Sequence, residues 1–261
     1  MIPVNSHTFG HWRNVTTVFQ SLPPGVTRGA TAGLCSNCTL RELCGPSGLM
    51  ESDTICMGEL IRSRKSLKRG QTLYREGEPF RSLYAVRSGF FKSNLQLEDG
   101  REQVTGFHMT GELIGMDGID SGAYTSSATS LEDSEVCEVS YGHFVDLSGD
   151  VHCLLPRFHR LMSREILRVH GMMLLLGSMM AEERLAVFLL DLSQRYRING
   201  YSASEFILRM SRDEISSYLG LRLETVSRAF SKLQSDGLID VHHRQIRIRD
   251  ISRLKRHHRS G

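Results

Sequence analysis

Six cysteines stand at positions 35, 38, 44, 56, 137 and 153, and the first three form a compact run, Cys35-x2-Cys38-x5-Cys44. Three thiolates this close can wrap one metal ion or cluster and leave a coordination place for a more distant residue. Zinc and iron–sulfur clusters both favour thiolate, so donor type by itself leaves the two open. Reduced structural cysteines are the plainer alternative, but such residues favour burial and this stretch is polar and turn-rich. The fourth ligand is open among Cys56, Cys137 and Cys153. Cys137 lies in Glu135-Val136-Cys137-Glu138-Val139, which reads as a strand end. Cys153 enters a long helix and reads as core.

A second group of residues could read nucleic acid. From Leu223 to about Ser235, helical spacing puts Val226, Phe230 and Leu233 on one face. Glu224, Ser227, Arg228 and Ser231 fall on the opposite face. Glutamate can accept a hydrogen bond from the cytosine amino group, and arginine can donate two to guanine. An ordinary surface helix would show a similar polar face, so what precedes it matters. Ser211-x-x-Glu214 is a capping box that starts a short helix, and Gly220 supplies a tight turn. Two helices joined in this way make a helix-turn-helix, with the second as the recognition helix. Leu238–Val241 and Gln245–Arg249 then flank His242-His243-Arg244, a hairpin wing whose Arg244 would meet phosphate.

These groups need elements to hold them. Residues 1–34, with Pro23 and Pro24, read as a loosely ordered arm, and 35–59 as the cysteine-rich segment. Residues 60–149 show short apolar runs, such as Ser82–Arg87 and Phe91–Leu95, broken by glycine at 70, 77, 89, 100, 106, 111 and 115. Strands at that spacing predict an antiparallel β-roll. Residues 150–180 turn helical. Leu155, His159, Met162, Ile166, Val169, Met173, Leu176 and Met180 follow alternating steps of four and three, a coiled-coil seam. Kept up over that length, the seam predicts a homodimer, with His159 as its weak point. Residues 181–261 hold the winged helix-turn-helix. The fold class expected is therefore α+β.

The 261 residues carry a net charge of only +3, unevenly spread. Residues 181–261 hold 15 Lys/Arg against 10 Asp/Glu, whereas the first 180 hold 17 against 19. A basic last third points to a polyanionic partner. No apolar run approaches the ~18–20 residues of a membrane span, and the start lacks a signal-peptide pattern. The expectation is a cytoplasmic protein with reduced thiols and no membrane partner. There is no P-loop, dinucleotide fingerprint or nucleophile–base pair, and His108 is the one histidine between Leu60 and Gly142. A cupin-like metalloenzyme would need several histidines there, so no enzyme activity and no catalytic residue are expected.

The roll, long helix and winged helix-turn-helix, in that order, resemble the CRP/FNR superfamily of bacterial regulators over nearly the whole chain. Leu223-Glu224-Thr225-Val226-Ser227-Arg228 is similar to the recognition helix of the FNR branch, where the matching Glu, Ser and Arg read a TTGAT-type half-site. Arg222 departs from the small hydroxyl residue usual at its position, and is expected to leave the helix without a side-chain cap or to contact phosphate. The branch also carries three cysteines at the spacing found here, with a fourth in a Val-Cys-Glu strand. The resemblance thus implies Cys35, Cys38, Cys44 and Cys137 as ligands of a [4Fe–4S] cluster, and an oxygen-responsive regulator of anaerobic genes. It implies a homodimer on an inverted repeat of double-stranded DNA. Leu155, Met162, Ile166, Val169, Met173 and Leu176 would lie at the dimer interface, and Arg222, Glu224, Thr225, Ser227, Arg228 and Arg244 on DNA. RNA polymerase is implied as a partner, near Glu98–Glu102. Val169 stands where the branch places an acidic residue. Relatives with a cyclic-nucleotide site set an arginine on the phosphate after a Gly-Glu-Leu turn. Here Gly111-Glu112-Leu113 is followed by no Lys or Arg as far as Cys137, so no cyclic nucleotide is expected.

Overall fold

The computed structural model describes residues 61–150 and 154–257. Cys35, Cys38, Cys44, Cys56 and Cys153 lie outside the described residues, as does the arm.

The glycine-broken region forms eight strands: β1 (Ile61–Leu67), β2 (Thr72–Tyr74), β3 (Ser82–Ser88), β4 (Phe90–Gln96), β5 (Glu102–Met109), β6 (Leu113–Ile114), β7 (Ser127–Ser130) and β8 (Ser134–Ser140). They pair antiparallel in two sheets, ordered β1-β8-β3-β6 and β2-β7-β4-β5. Alternation along each strand sends one set of side chains between the sheets. That interior holds Tyr84, Val86 and Val136 from the first sheet, and Tyr74, Phe91 and Ala128 from the second. Tyr74 and Tyr124 stack at 3.9 Å.

The outer faces of both sheets are apolar too, and helices cover them. On the first sheet, Leu83, Ala85, Cys137 and Val139 pack against Phe144 and Leu147 of α1 (Tyr141–Asp150). Leu154 and Phe158 of α2 (Leu154–Ser178) join them. The sequence reading contains no counterpart of α1, and Asp150, expected in the long helix, ends it. Cys137 is the middle residue of β8 rather than a strand end.

On the second sheet, Phe90, Val104, Phe107, Met109 and Leu131 share one core with the C-terminal unit. This unit comprises α3 (Ala181–Ile198), β9 (Glu205–Ile207), α4 (Arg212–Leu219), α5 (Leu223–Ser235), β10 (Ile239–His242), β11 (Gln245–Ile248) and α6 (Ile251–His257). Phe107 lies 6.0 Å from Phe188 and 5.0 Å from Tyr218, ring centre to ring centre. Each such buried side chain contributes about 1.5–3 kcal/mol. The expected pair of wing strands is a three-stranded sheet, β10-β11-β9, and α6 follows it. Among the described residues no helix is long and apolar enough to cross a membrane.

Candidate functional site

Local rules build the helix-turn-helix. Ser211 Oγ accepts from Glu214 N at 3.1 Å, and Glu214 Oε2 accepts from Ser211 N at 2.7 Å, the reciprocal pair of a capping box. α4 ends at Gly220, whose φ of 60° is left-handed and favours glycine. Arg222 stands at the N-cap of α5 with no side-chain cap bond, as its type predicts. Val226, Ala229, Phe230 and Leu233 are buried, so the opposite face is turned outward. Arg222, Glu224, Ser227, Arg228 and Ser231 are all exposed, and Thr225 is half-buried beside them. The Arg212 guanidinium lies 3.2 Å above the centre of the Phe230 ring and fixes the two helices to each other. Arg244 is exposed in the turn between β10 and β11, where His243 takes a positive φ of 53°. One surface therefore offers donors and acceptors at helical spacing beside an arginine-bearing wing.

Cys137 is 2% exposed in a shell of Leu83, Ala85, Val139, Phe144, Leu147, Leu154 and Phe158. It is paired along the sheet with Ala85 of β3 and Arg64 of β1. The cysteine-rich segment runs directly into β1, whose first residue, Ile61, pairs with Val139 and packs on this apolar layer. Cys137 is thus a soft sulfur donor held in a water-poor shell, on the strand that pairs with β1. Among the described residues no three His, Cys, Asp or Glu side chains gather into a metal-binding group.

The Gly111-Glu112-Leu113 turn is engaged from within. Arg195 of α3 donates to both Glu112 oxygens, Nε to Oε1 at 2.8 Å and Nη2 to Oε2 at 2.7 Å. Arg195 also meets Asp191 at 3.1 Å and the Phe107 carbonyl at 2.6 Å. Burial works against the guanidinium charge, but Glu112 and Asp191 raise its pKa above the ordinary range. Lys92 of β4 meets Glu214 at 3.0 Å. Burial would raise the Glu214 carboxyl pKa, yet the Ser211 N–H and Lys92 hold it below the usual carboxylate range. Ser217 of α4 binds the open edge of β5, accepting from Val104 N at 2.8 Å and donating to Glu102 O at 3.2 Å. Sequence reasoning missed these links between the roll and the helix-turn-helix. Each partner is a charged or hydroxyl residue that reads as solvated surface until the fold brings the other beside it.

On α2 the seam residues face outward. Ile166 is 53% exposed, Val169 48% and Met173 66%, with Leu155 and Leu176 also exposed. Met162 is partly committed to its own subunit, packing on the layer around Cys137. His159 is exposed.

Comparison with known proteins agrees with this architecture. The cyclic nucleotide-binding domain model matches residues 64–149 and the Crp-like helix-turn-helix domain model matches residues 183–257. The chain is 46% identical to the transcriptional regulatory protein btr of Bordetella pertussis, over 86% of this chain and 93% of that protein. It is 42% identical to the fumarate and nitrate reduction regulatory protein of Escherichia coli, over 88% and 92%. The structure of FixK2 from Bradyrhizobium japonicum superposes with a TM-score of 0.68 at 33% identity, over 74% of this chain and 96% of that one. With the exposed recognition helix and the outward α2 seam, these likenesses make the chain a DNA-binding transcription regulator, and it belongs to the CRP/FNR family.

Proposed function

We propose that the protein is an oxygen-responsive regulator whose Cys35, Cys38, Cys44 and Cys137 hold a [4Fe–4S] cluster. In this reading a homodimer joined along Leu155, Met162, Ile166, Val169, Met173 and Leu176 binds an inverted repeat of TTGAT-type half-sites. The observation that carries it is Cys137, buried where the roll meets the start of the dimer helix. The relative named for fumarate and nitrate reduction fits a role in anaerobic gene control. When bound, such a cluster would supply redox-active iron. The chain's own residues carry the consequence outward. Cys137 shares one buried apolar layer with Leu154 and Phe158, so a change at its sulfur would reach α2 through that layer.

On α5, Glu224, Ser227 and Arg228 contact base edges, while Arg222 and Arg244 contact phosphate and Thr225 supports them. A cyclic nucleotide is no part of this reading: Glu112 is held by Arg195, and residues 111–137 supply no cation for a phosphodiester. RNA polymerase is the expected partner of the exposed β4–β5 turn around Glu98–Glu102.

Anaerobic reconstitution of the full-length protein tests the proposal. Iron and acid-labile sulfide should be found together, and air should remove the colour and the DNA affinity in parallel. Serine at Cys35, Cys38, Cys44 or Cys137 should abolish the response, whereas Cys153→Ser should not. Stoichiometric zinc without iron in the anaerobic protein rules the cluster out in favour of a thiol or zinc regulator.

A further inference from the structure

Arg184, in the first turn of α3, spends its guanidinium on three backbone carbonyls from two different elements. Nη2 donates to Leu176 O at 2.9 Å in the last turn of α2, and Nε to Met179 O at 2.9 Å just past its end. Nη1 donates to Leu219 O at 3.0 Å, at the end of α4. Helix C-termini leave carbonyls without partners, and a cation there is favoured by the helix dipole. One planar fork thus ties the end of the dimer helix to the turn of the helix-turn-helix.

The joint it spans is short. α2 ends at Ser178 and α3 begins at Ala181, so Met179 and Met180 alone separate the two helices. The contact is close-packed as well. A Cβ placed on Gly220 would lie 3.3 Å from Leu176 Cδ2 and 3.8 Å from Arg184 Nη1. Glycine is favoured there by its left-handed φ, and the close approach of Leu176 adds to that preference.

We infer that Arg184 is a positioning residue that fixes the angle between the dimer helix and the recognition helix, and so sets the half-site spacing the dimer accepts. It touches no DNA. Two α5 helices must reach major grooves about one helical turn apart, roughly 34 Å. The joint sits between the dimer helix and each reader, so a tilt there moves both readers. A base-pair step along one strand is only about 3.4 Å, so small tilts suffice to blur the spacing. Lysine keeps the positive charge but is a single flexible point donor and cannot reproduce the fork.

The inference rests on the DNA-reading role of α5, and the experiment separates the two. Full-length protein, purified anaerobically, is used to select from a duplex library randomised across both half-sites and the spacer. The parent protein should enrich one half-site sequence at one spacing. Arg184→Lys and Arg184→Gln should enrich the same half-site sequence across several spacings, with the preference for the parent spacing lowered about tenfold, the worth of a single charge-assisted bond. An unchanged single spacing in Arg184→Lys overturns the inference. Loss of half-site sequence together with spacing also overturns it, since Arg184 would then merely hold the domain folded. Enrichment of a half-site that ignores Glu224 and Arg228 would instead count against the reading of α5, while the spacing distribution still decides on Arg184.

Discussion

Glu112 in the β5–β6 turn and Arg195 on α3 face each other across the boundary between roll and DNA-binding unit, joined by two parallel hydrogen bonds of 2.7 and 2.8 Å. Their side chains are 32% and 12% exposed, so the pair is partly withdrawn from water. Removing either partner strands the other, and removing Arg195 also strands the Phe107 carbonyl. Glu112→Gln should cost about 1–3 kcal/mol. Arg195→Gln should cost more, because Asp191 also loses its partner. Urea denaturation of both single variants and the double variant measures the coupling. A coupling below about 0.5 kcal/mol would place the pair with ordinary exposed ion pairs.

His108 should make stability fall as the solution is acidified. Its Nε2 lies 2.9 Å from Ser93 Oγ, and the neighbouring charges come from α2 and α3. Burial and then Arg168 hold its pKa down to about 3; Glu165 pulls the other way, and Arg195 adds a smaller push down. Unfolded, the ring takes a proton near 6.5. Between these values the unfolded chain binds one proton more, so stability is full above pH 6.5 and is lost as pH falls towards 3. The slope is about 1.4 kcal/mol per pH unit. Denaturation midpoints measured from pH 6.5 down to about pH 5, before carboxylates titrate, should fall in the parent and stay flat in His108→Gln.

On the recognition helix, Glu224→Ala or Arg228→Ala should cost about 1–3 kcal/mol and relax one base position in each half-site. Arg244→Ala should weaken matched and mismatched duplexes alike and lower the salt dependence of binding. Competition binding on a panel of single-base variants distinguishes the two. Unchanged selectivity after both helix substitutions would mean that another surface reads the bases.

Along the dimer helix, Val169 lies between exposed Ile166 and Met173. An apolar side chain here adds about 1.5–3 kcal/mol when buried and brings no like-charge repulsion across the two-fold. The cluster-free protein should therefore still dimerise and keep some aerobic DNA binding. Val169→Asp should shift it towards monomer and sharpen the oxygen dependence. Sedimentation at micromolar concentration gives the answer, and a monomer in both proteins would remove Val169 from the seam.

What the sequence determined by itself is what short-range spacing encodes. The Ser211–Glu214 box and the left-handed Gly220 need no partner outside their own helix, and both appear as read. The seven-residue repeat of α2 and the Val226–Phe230–Leu233 stripe are likewise properties of one helix. The tertiary structure alone decided how these units meet. α1 escaped notice because its ten residues hold only two buried apolar side chains, Phe144 and Leu147, too few to set a period. Cys137 reads as one thiol in an apolar strand, and only the buried layer it shares with Leu154 and Phe158 relates it to the dimer helix. Arg184, Glu112 and Arg195 have side chains that favour water, and nothing local marks them apart from solvated charge. Their roles depend on carbonyls and carboxylates up to 88 residues away, which no periodic pattern can announce.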